Sequence, residues 1–211
     1  MEAYEPWEAQ EIPEQPESYE RADLERDFAR RAEVSETAEV SPVSGFEQSG
    51  VMTNDEVQTH MEENFPPEHV SPSRIESIEY VDEYQEANGG YVAGRHYYTT
   101  ETTGHIEVYP QTPQGCTDRG QLEETIAHEV GHNVHANLSP ETQATWEQIS
   151  TASGPDEFMS DYARTDVYED FAESYAAYQH DPELLREVSS VKYDFMRDWV
   201  YDGCEYPARQ V

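Results

Sequence analysis

The chain has 211 residues, 46 of them acidic against 12 basic, and its formal net charge is -34 at pH 7. This charge disfavours nucleic acids and anionic membrane surfaces as partners, and no stretch approaches the ~18 apolar residues of a membrane-spanning helix. The length suits one domain with a sizeable core and a tail. Lys192 is the only lysine. An acidic, lysine-poor chain indicates either adaptation to high salt, which screens self-repulsion, or a very acidic tail on an ordinary domain.

The chain start and the cysteines give weaker indications. Residues 1–10 are acidic and lack the basic region and apolar core of a Sec signal peptide. We therefore expect a cytoplasmic location by default, with non-classical export as the alternative.

Cys116 and Cys204 are the only cysteines; they could pair or remain free thiols. Neither belongs to a C-x₂₋₄-C pair, which argues against a Cys₂His₂ zinc site.

The N-terminal part is predicted to be an acidic, disordered segment over residues 1–50. It is rich in Glu, Pro and Ser, and it cannot bury enough apolar surface to offset the entropy of ordering. Apolar residues recur at helical spacing only in residues 19–32. That stretch is either a pro-segment that docks on the domain as an inhibitor or a fluctuating helix without a role. We expect the folded domain over residues 51–206 and a short tail over 207–211.

The first half of the domain is predicted to contain a helix and a small sheet. Thr53 and Glu56 fit a capping box, and apolar residues at helical spacing follow. Three short segments rich in β-branched and aromatic residues come next, at 75–81, 91–100 and 105–109. They predict three strands of a mostly antiparallel sheet. We expect 105–109 to be the edge strand along which an extended peptide could pair.

The second half is predicted to be helical. Asp118 and Gln121 fit a second capping box, and this helix should run to about Leu138. Helical patterns continue over residues 140–149, 166–178 and 184–199. A helix, a small sheet and then several helices indicate an α+β fold.

The sequence His128-Glu129-Val130-Gly131-His132 matches H-E-x-x-H within the helix that begins at Asp118. Two histidines four residues apart project from nearly the same helix face, so both can bind one Zn²⁺ while the glutamate reaches a water on the metal. A catalytic zinc takes three protein ligands and leaves one position open. The third ligand must therefore come from elsewhere in the chain.

Two candidates for the third ligand follow the motif. His135 shares the helix face but lies seven residues, or ~10.5 Å, along the axis from His128. We interpret it as a surface histidine or one placed behind the ligands. Glu169 and Glu173 are spaced i,i+4 beside an apolar stripe; alone, they are also typical of solvated helix carboxylates. Gly131 is costly within a helix by roughly 1 kcal/mol relative to Ala, so we expect close packing there, by the helix that carries Glu169.

The order of three motifs carries a family resemblance. H-E-x-G-H at 128–132 is followed by Tyr162-Ala163 and then by E-D-F-A-E at 169–173. This order resembles the gluzincin metallopeptidases, above all those similar to the catalytic domain of anthrax toxin lethal factor. The resemblance covers roughly residues 50–206. No motif of that family is recognisable in residues 1–50.

The resemblance implies a zincin-like fold and specific roles for the matched residues. It implies one Zn²⁺ per chain, with the ligands His128, His132 and Glu169. Glu173 would orient a ligand histidine. Tyr162 would point into the site and donate to the developing oxyanion or the leaving group; the alternative is a buried structural tyrosine. Glu129 would be the general base.

The sequence therefore predicts a zinc metalloendopeptidase that acts on a peptide or protein substrate. One alternative is a catalytically inactive zincin-like domain that binds zinc or another protein. Glu129 argues against it, because structural zinc sites are usually closed by four ligands and have no use for a base. The other alternative is a delivered protease toxin or effector, which no recognisable delivery domain supports.

Overall fold

The computed structural model describes residues 39–87, 90–116 and 118–203. Several sequence-based predictions lie outside these residues: the disorder of 1–38, the helical stretch 19–32, the tail 207–211 and the pairing of Cys204. Within the described residues, none of the helices combines the length and apolar composition needed to cross a membrane.

The described fold begins before the boundary expected at residue 51. The short strand β1 (Val43–Ser44) pairs in parallel with β2 (Ile75–Tyr80). A 3-10 turn over Phe46–Ser49 follows, and Phe46 is fully buried in the core. The predicted disordered segment is therefore too long at its C-terminal end. One buried aromatic ring and one strand pairing accompany the order of these residues.

The main sheet has four strands in the order β1-β2-β6-β5, with β5 at Gly94–Tyr98 and β6 at Gly104–Val108. β2 pairs in parallel with both β1 and β6, whereas β5 and β6 are antiparallel. The sheet is mixed, so the prediction of a mostly antiparallel sheet is wrong. Only β5 and β6 are joined by a short turn; the connection from β2 to β6 is long enough to allow the parallel pairing.

The edge of the sheet also differs from the prediction. β6 lies between β2 and β5, so the expectation that residues 105–109 form the edge is wrong; the edge strands are β1 and, next to β6, β5. The strand expected over 91–100 is interrupted at Ala93. Before the interruption, β4 (Gly90–Val92) forms a separate antiparallel ribbon with β3 (Gln85–Ala87).

The helices follow the sequence pattern closely. They are α1 (Asn54–Asn64), α2 (Arg119–Ala136), α3 (Pro140–Ala152), α4 (Val167–His180), α5 (Pro182–Val188) and α6 (Ser190–Phe195), which continues as a π-helical turn over Met196–Val200. The capping box of Thr53 and Glu56 is complete. Asp118 caps α2 by accepting from the backbone N–H of Gln121. The α+β class is thus confirmed.

The core is formed by the sheet together with α1, α2 and α4. It includes Val57, Met61, Ile75, Ile78, Ile106, Val108, Leu122, Ile126, Val130, Phe171 and Tyr175. α2 and α4 pack closely at Gly131, where an added Cβ would lie 3.1 Å from Cα of Ala172 and 3.2 Å from Cβ of Tyr175. The prediction that Gly131 marks close packing of the Glu169 helix is confirmed.

Candidate metal centre

Three side chains from α2 and α4 converge on one point. His128 and His132 lie one turn apart on α2, and their Nε2 atoms are 3.2 Å apart. Glu169, in the first turn of α4, places Oε2 3.1 Å from Nε2 of His128 and 3.5 Å from Nε2 of His132. Among the described residues, these three form a group that could hold a metal ion. The close α2–α4 contact at Gly131 is what brings the carboxylate to the histidines.

The triangle of donor atoms fits a small tetrahedral ion. Ligand atoms at 2.0–2.1 Å from such an ion lie about 3.3–3.4 Å from one another. The observed separations of 3.1, 3.2 and 3.5 Å bracket that value. Two nitrogens and one carboxylate oxygen also leave one coordination position open. The donor set and its spacing are therefore those of a metal centre with room for one further ligand.

The electrostatics of the centre favour a bound cation. Burial lowers the pKa of His128, but the Glu169 and Glu173 carboxylates raise it more, to about 10. Burial raises the pKa of Glu169, yet its hydrogen bonds to the histidines hold it well below the usual range. The carboxylates therefore favour positive charge at this point, and a divalent cation can supply it.

Glu173 lies beside His128, the position from which it could orient a ligand histidine, as the resemblance implies. It sits one turn after Glu169 on α4, and its Oε1 is 3.5 Å from Nδ1 of His128. The opposite nitrogen of the same ring faces Glu169. A carboxylate at Nδ1 favours the tautomer whose Nε2 lone pair is free to bind metal.

Glu129 is buried beside the histidines, with 6% of its surface exposed. Burial raises its pKa, and the neighbouring histidines oppose that rise; the net shift is upward. Its carboxylate accepts a hydrogen bond from the backbone of His96 on β5. An added Cβ on Gly94 would lie 2.7 Å from its Oε1, so this glycine leaves the space for the carboxylate. A glycine within a strand pattern often marks a close approach of another group, and this is the signal that Gly94 carries in the sequence.

Tyr162 reaches the centre from the segment between α3 and α4. Its hydroxyl donates to Oε1 of Glu169 at 2.9 Å, and its ring lies 6.1 Å from that of His128. Burial and the Glu169 charge raise its pKa, which keeps the phenol protonated as a donor. The side chain is 54% exposed. This exposure contradicts the alternative of a buried structural tyrosine.

His135 lies away from the triangle of donor atoms. It is 6% exposed, and its ring packs edge-to-face against Tyr168 and Phe171 at centroid distances of 5.2 and 4.8 Å. Of the two positions expected for His135, at the surface or behind the ligands, the surface position is therefore wrong. His135 lies on nearly the same face of α2 as His128 but ~10.5 Å further along the axis, where the ring packs against aromatic side chains of α4.

The buried side-chain amide of Asn133 connects α2 to the edge strand β5. Asn133 follows the motif directly and is 1% exposed. Its Nδ2 donates to the carbonyl of Arg74 at 3.1 Å and approaches Nε2 of His96 at 3.2 Å. His96 lies on β5, whose backbone also contacts Glu129. The sequence gives no indication of this connection, because a single asparagine after a motif adds nothing to a helical or strand periodicity.

Two cavities meet at the candidate centre. The larger, about 1170 Å³, extends along β5 and the C-terminal half of α2; its walls include Tyr98, His135, Gln143 and Tyr168. The smaller, about 640 Å³, extends along the ribbon and the N-terminal half of α2; its walls include Tyr91, Gln111, Thr125 and Glu173. Both include His128, Glu129 and Tyr162. A long ligand can therefore pass across the centre with a part in each cavity.

Comparisons of the chain with protein-family models, curated proteins and solved structures returned no match. Support for a function comes from the residues and the geometry of this centre.

Proposed function

We propose that the chain is a zinc-dependent metalloendopeptidase that hydrolyses a peptide bond at this centre. The observation that carries the proposal is the pairing of the His128–His132–Glu169 triangle with a buried carboxylate, Glu129, one residue from a ligand. Two imidazoles, one carboxylate and an open position are typical of catalytic zinc. A structural site would instead be closed by a fourth protein ligand. The motif order that resembles the gluzincins supports the same roles.

The zinc ion, when bound, supplies a positive centre that acidifies water and polarises a carbonyl. Glu129 accepts the proton of the attacking water and later delivers it to the leaving amine. Burial suits it to this task, because a base works best when its pKa is raised toward the working pH. The backbone N–H of His96 holds the carboxylate in place.

Glu173 and Tyr162 assist from either side of Glu169. Glu173, whose Oε1 is 3.5 Å from Nδ1 of His128, favours the proton on that nitrogen and so keeps Nε2 of the ring free of a proton. The Tyr162 hydroxyl, 2.9 Å from Glu169, can turn from this carboxylate to the negative oxygen that develops on the substrate. Its exposure on the cleft surface leaves it free to turn.

The edge strand β5 gives the substrate a place to pair. It borders the larger cavity and carries the backbone that contacts Glu129. An extended peptide that adds to this edge gains main-chain hydrogen bonds, and its side chains fall into the flanking cavities. The pairing expected at residues 105–109 is thus proposed for β5 instead.

The test combines metal analysis with cleavage of a proteome-derived peptide library. We expect one zinc per chain in the wild type and in Glu129→Gln, with cleavage reduced about a thousandfold or more in the variant. Glu63→Gln, at an exposed position on α1, is the matched control and should retain both zinc and activity. Failure of the wild type to bind added zinc, or equal cleavage by Glu129→Gln, would contradict the proposal. Zinc binding without cleavage would favour the inactive zinc-binding domain.

A further inference from the structure

The segment between α3 and α4, residues 153–166, carries Tyr162 and is built from turns. The hydroxyl oxygen of Ser160 accepts from the backbone N–H groups of Tyr162 and Ala163, both at 3.1 Å. The hydroxyl of Thr165 donates to the carbonyl of Tyr162 at 2.7 Å. These bonds give the segment its local shape, but they do not fix its distance from the metal centre.

A buried lysine on α6 connects this segment to the helix that carries Glu169. Nζ of Lys192 donates to the carbonyl of Glu157 at 2.8 Å and lies 3.8 Å from the centroid of the Phe158 ring. The same nitrogen pairs with Oδ1 of Asp170 at 2.7 Å, and both of these side chains are fully buried. Asp170 directly follows Glu169 in α4. One cation therefore contacts both the segment and the residue next to a candidate ligand.

The position of the Tyr162 hydroxyl depends on how these two contact points are held together. Its hydrogen bond to Oε1 of Glu169, at 2.9 Å, spans the gap between the segment and the first turn of α4. Lys192 bonds to the segment shortly before Tyr162 and to α4 directly after Glu169. Hydrogen bonds to a charged group are roughly twice as strong as neutral ones. The lysine therefore resists relative movement of the segment and the helix.

A displaced hydroxyl would affect the proposed reaction more than the binding of metal. The three candidate ligands reach the centre from α2 and α4, so the segment supplies none of them. Tyr162 is proposed to donate to the oxygen that becomes negative on the substrate. A displacement of about 1 Å in a reacting geometry can lower a rate on the order of a hundredfold.

We propose that Lys192 is a positioning residue: it holds the segment that carries Tyr162 against α4 and so places the Tyr162 hydroxyl at the metal centre. Asp170 takes part by neutralising the lysine within the fold. The inference rests on the proposed peptidase function, because that function gives the hydroxyl its importance. The position of the hydroxyl can nevertheless be measured without turnover.

The test labels the full-length, zinc-loaded protein with 3-fluorotyrosine and records its fluorine NMR spectrum. The signal that disappears in Tyr162→Phe belongs to Tyr162. The double variant Asp170→Asn, Lys192→Met removes both buried charges, so neither is left unpaired. Val57→Ala, in the core on α1, is the control for a loss of stability. Arg186→Met, in an exposed ion pair on α5, is the matched control for the loss of a basic residue.

We expect the Tyr162 signal of the double variant to move toward its position in the urea-unfolded protein. Both controls should keep the wild-type position, and the double variant should bind zinc as the wild type does. A signal that stays in place in the double variant, or that moves as far in Val57→Ala, would overturn the inference. Asp170→Asn, Lys192→Gln replaces the double variant if thermal unfolding shows that the latter does not fold; its shorter side chain withdraws the donor from the segment.

Cleavage kinetics give a second measurement. We expect kcat to fall on the order of a hundredfold in the double variant. Adding Tyr162→Phe to it should cause little further loss, because both changes remove the same hydroxyl from the centre and such effects are not additive. Full additivity would overturn the inference. Since the fluorine signal needs no turnover, a signal that moves as expected in a protein whose wild type cleaves nothing overturns the proposed function alone.

Discussion

Two neighbouring carboxylates on α4 lie in opposite kinds of environment. Glu169 faces the cleft and contacts two histidines and Tyr162. Asp170 is fully buried and pairs with Lys192, the only lysine, at 2.7 Å. Lys192 Nζ also donates to the carbonyl of Glu157 at 2.8 Å and lies 3.8 Å from the centroid of the Phe158 ring.

Asp170 and Lys192 form a closed ion pair, whereas the side chains around Glu169 form an open cluster. The pair of Asp170 and Lys192 contains its own cation and is surrounded by protein, so it can fix the fold but bind nothing further. The donors around Glu169 point at one shared position, and an ion from solution can supply the positive charge there. In a chain with a net charge of -34, a buried cation that the protein supplies is rare, and its placement next to the centre holds the first turn of α4 in position.

The largest effect is expected from breaking the open cluster. Glu169→Ala removes one of three ligands, and zinc affinity should fall about a thousandfold or more, because each ligand carries a large share of a binding energy of order 10 kcal/mol. Competition with a chelator of known affinity measures the change. Glu63→Gln is the control, and an unchanged affinity in Glu169→Ala would transfer the ligand role to another residue.

Breaking the closed pair should reduce stability rather than metal binding. Lys192→Met leaves the charge of Asp170 buried without a partner, and we expect a loss of about 3–5 kcal/mol in the free energy of unfolding. Urea unfolding of the metal-free protein measures it. The double variant Asp170→Asn, Lys192→Met should recover much of this loss, since it removes both charges. Equal destabilisation in the single and double variants would show that packing, not charge, dominates.

A smaller effect on zinc affinity is expected from changing Glu173, the carboxylate behind His128. Glu173→Gln keeps the size of the side chain but weakens its hold on Nδ1 of His128, so zinc affinity should fall ~10–100-fold. Isothermal titration calorimetry with zinc, in the presence of a competing chelator, measures the affinity. A fall as large as that in Glu169→Ala would mean that Glu173 is itself a ligand.

The smallest effect concerns a buried histidine outside both clusters. Burial lowers the pKa of His135 to about 4 from an ordinary value near 6.5. Between these values the unfolded chain binds a proton that the folded chain does not, so stability is full above pH 6.5 and falls as the pH drops toward 4. We expect a loss on the order of 1–3 kcal/mol. Urea unfolding of metal-free His135→Phe between pH 7.5 and pH 5 should show a shallower fall than the wild type; parallel curves would assign the effect to other groups.

Local patterns in the sequence were sufficient for the helices and for most of the candidate centre. Helical periodicity and the caps at Thr53 and Asp118 depend on residues within one or two turns, so they are readable without the fold. The spacing of His128 and His132 specifies a shared helix face for the same reason. The order of the motifs identified Glu169 as a candidate ligand, and the fold places it beside the two histidines.

The tertiary structure alone decided which strands pair and which polar side chains are buried. The parallel pairing of β2 and β6, the place of β5 at the edge and the burial of Phe46 all depend on contacts between residues far apart in the chain. Strand patterns give the faces of a strand but not its neighbours. The sequence also cannot show that the buried amide of Gln111 has no hydrogen-bond partner among the described residues, because hydrogen bonding of a buried group depends on its neighbours in the fold.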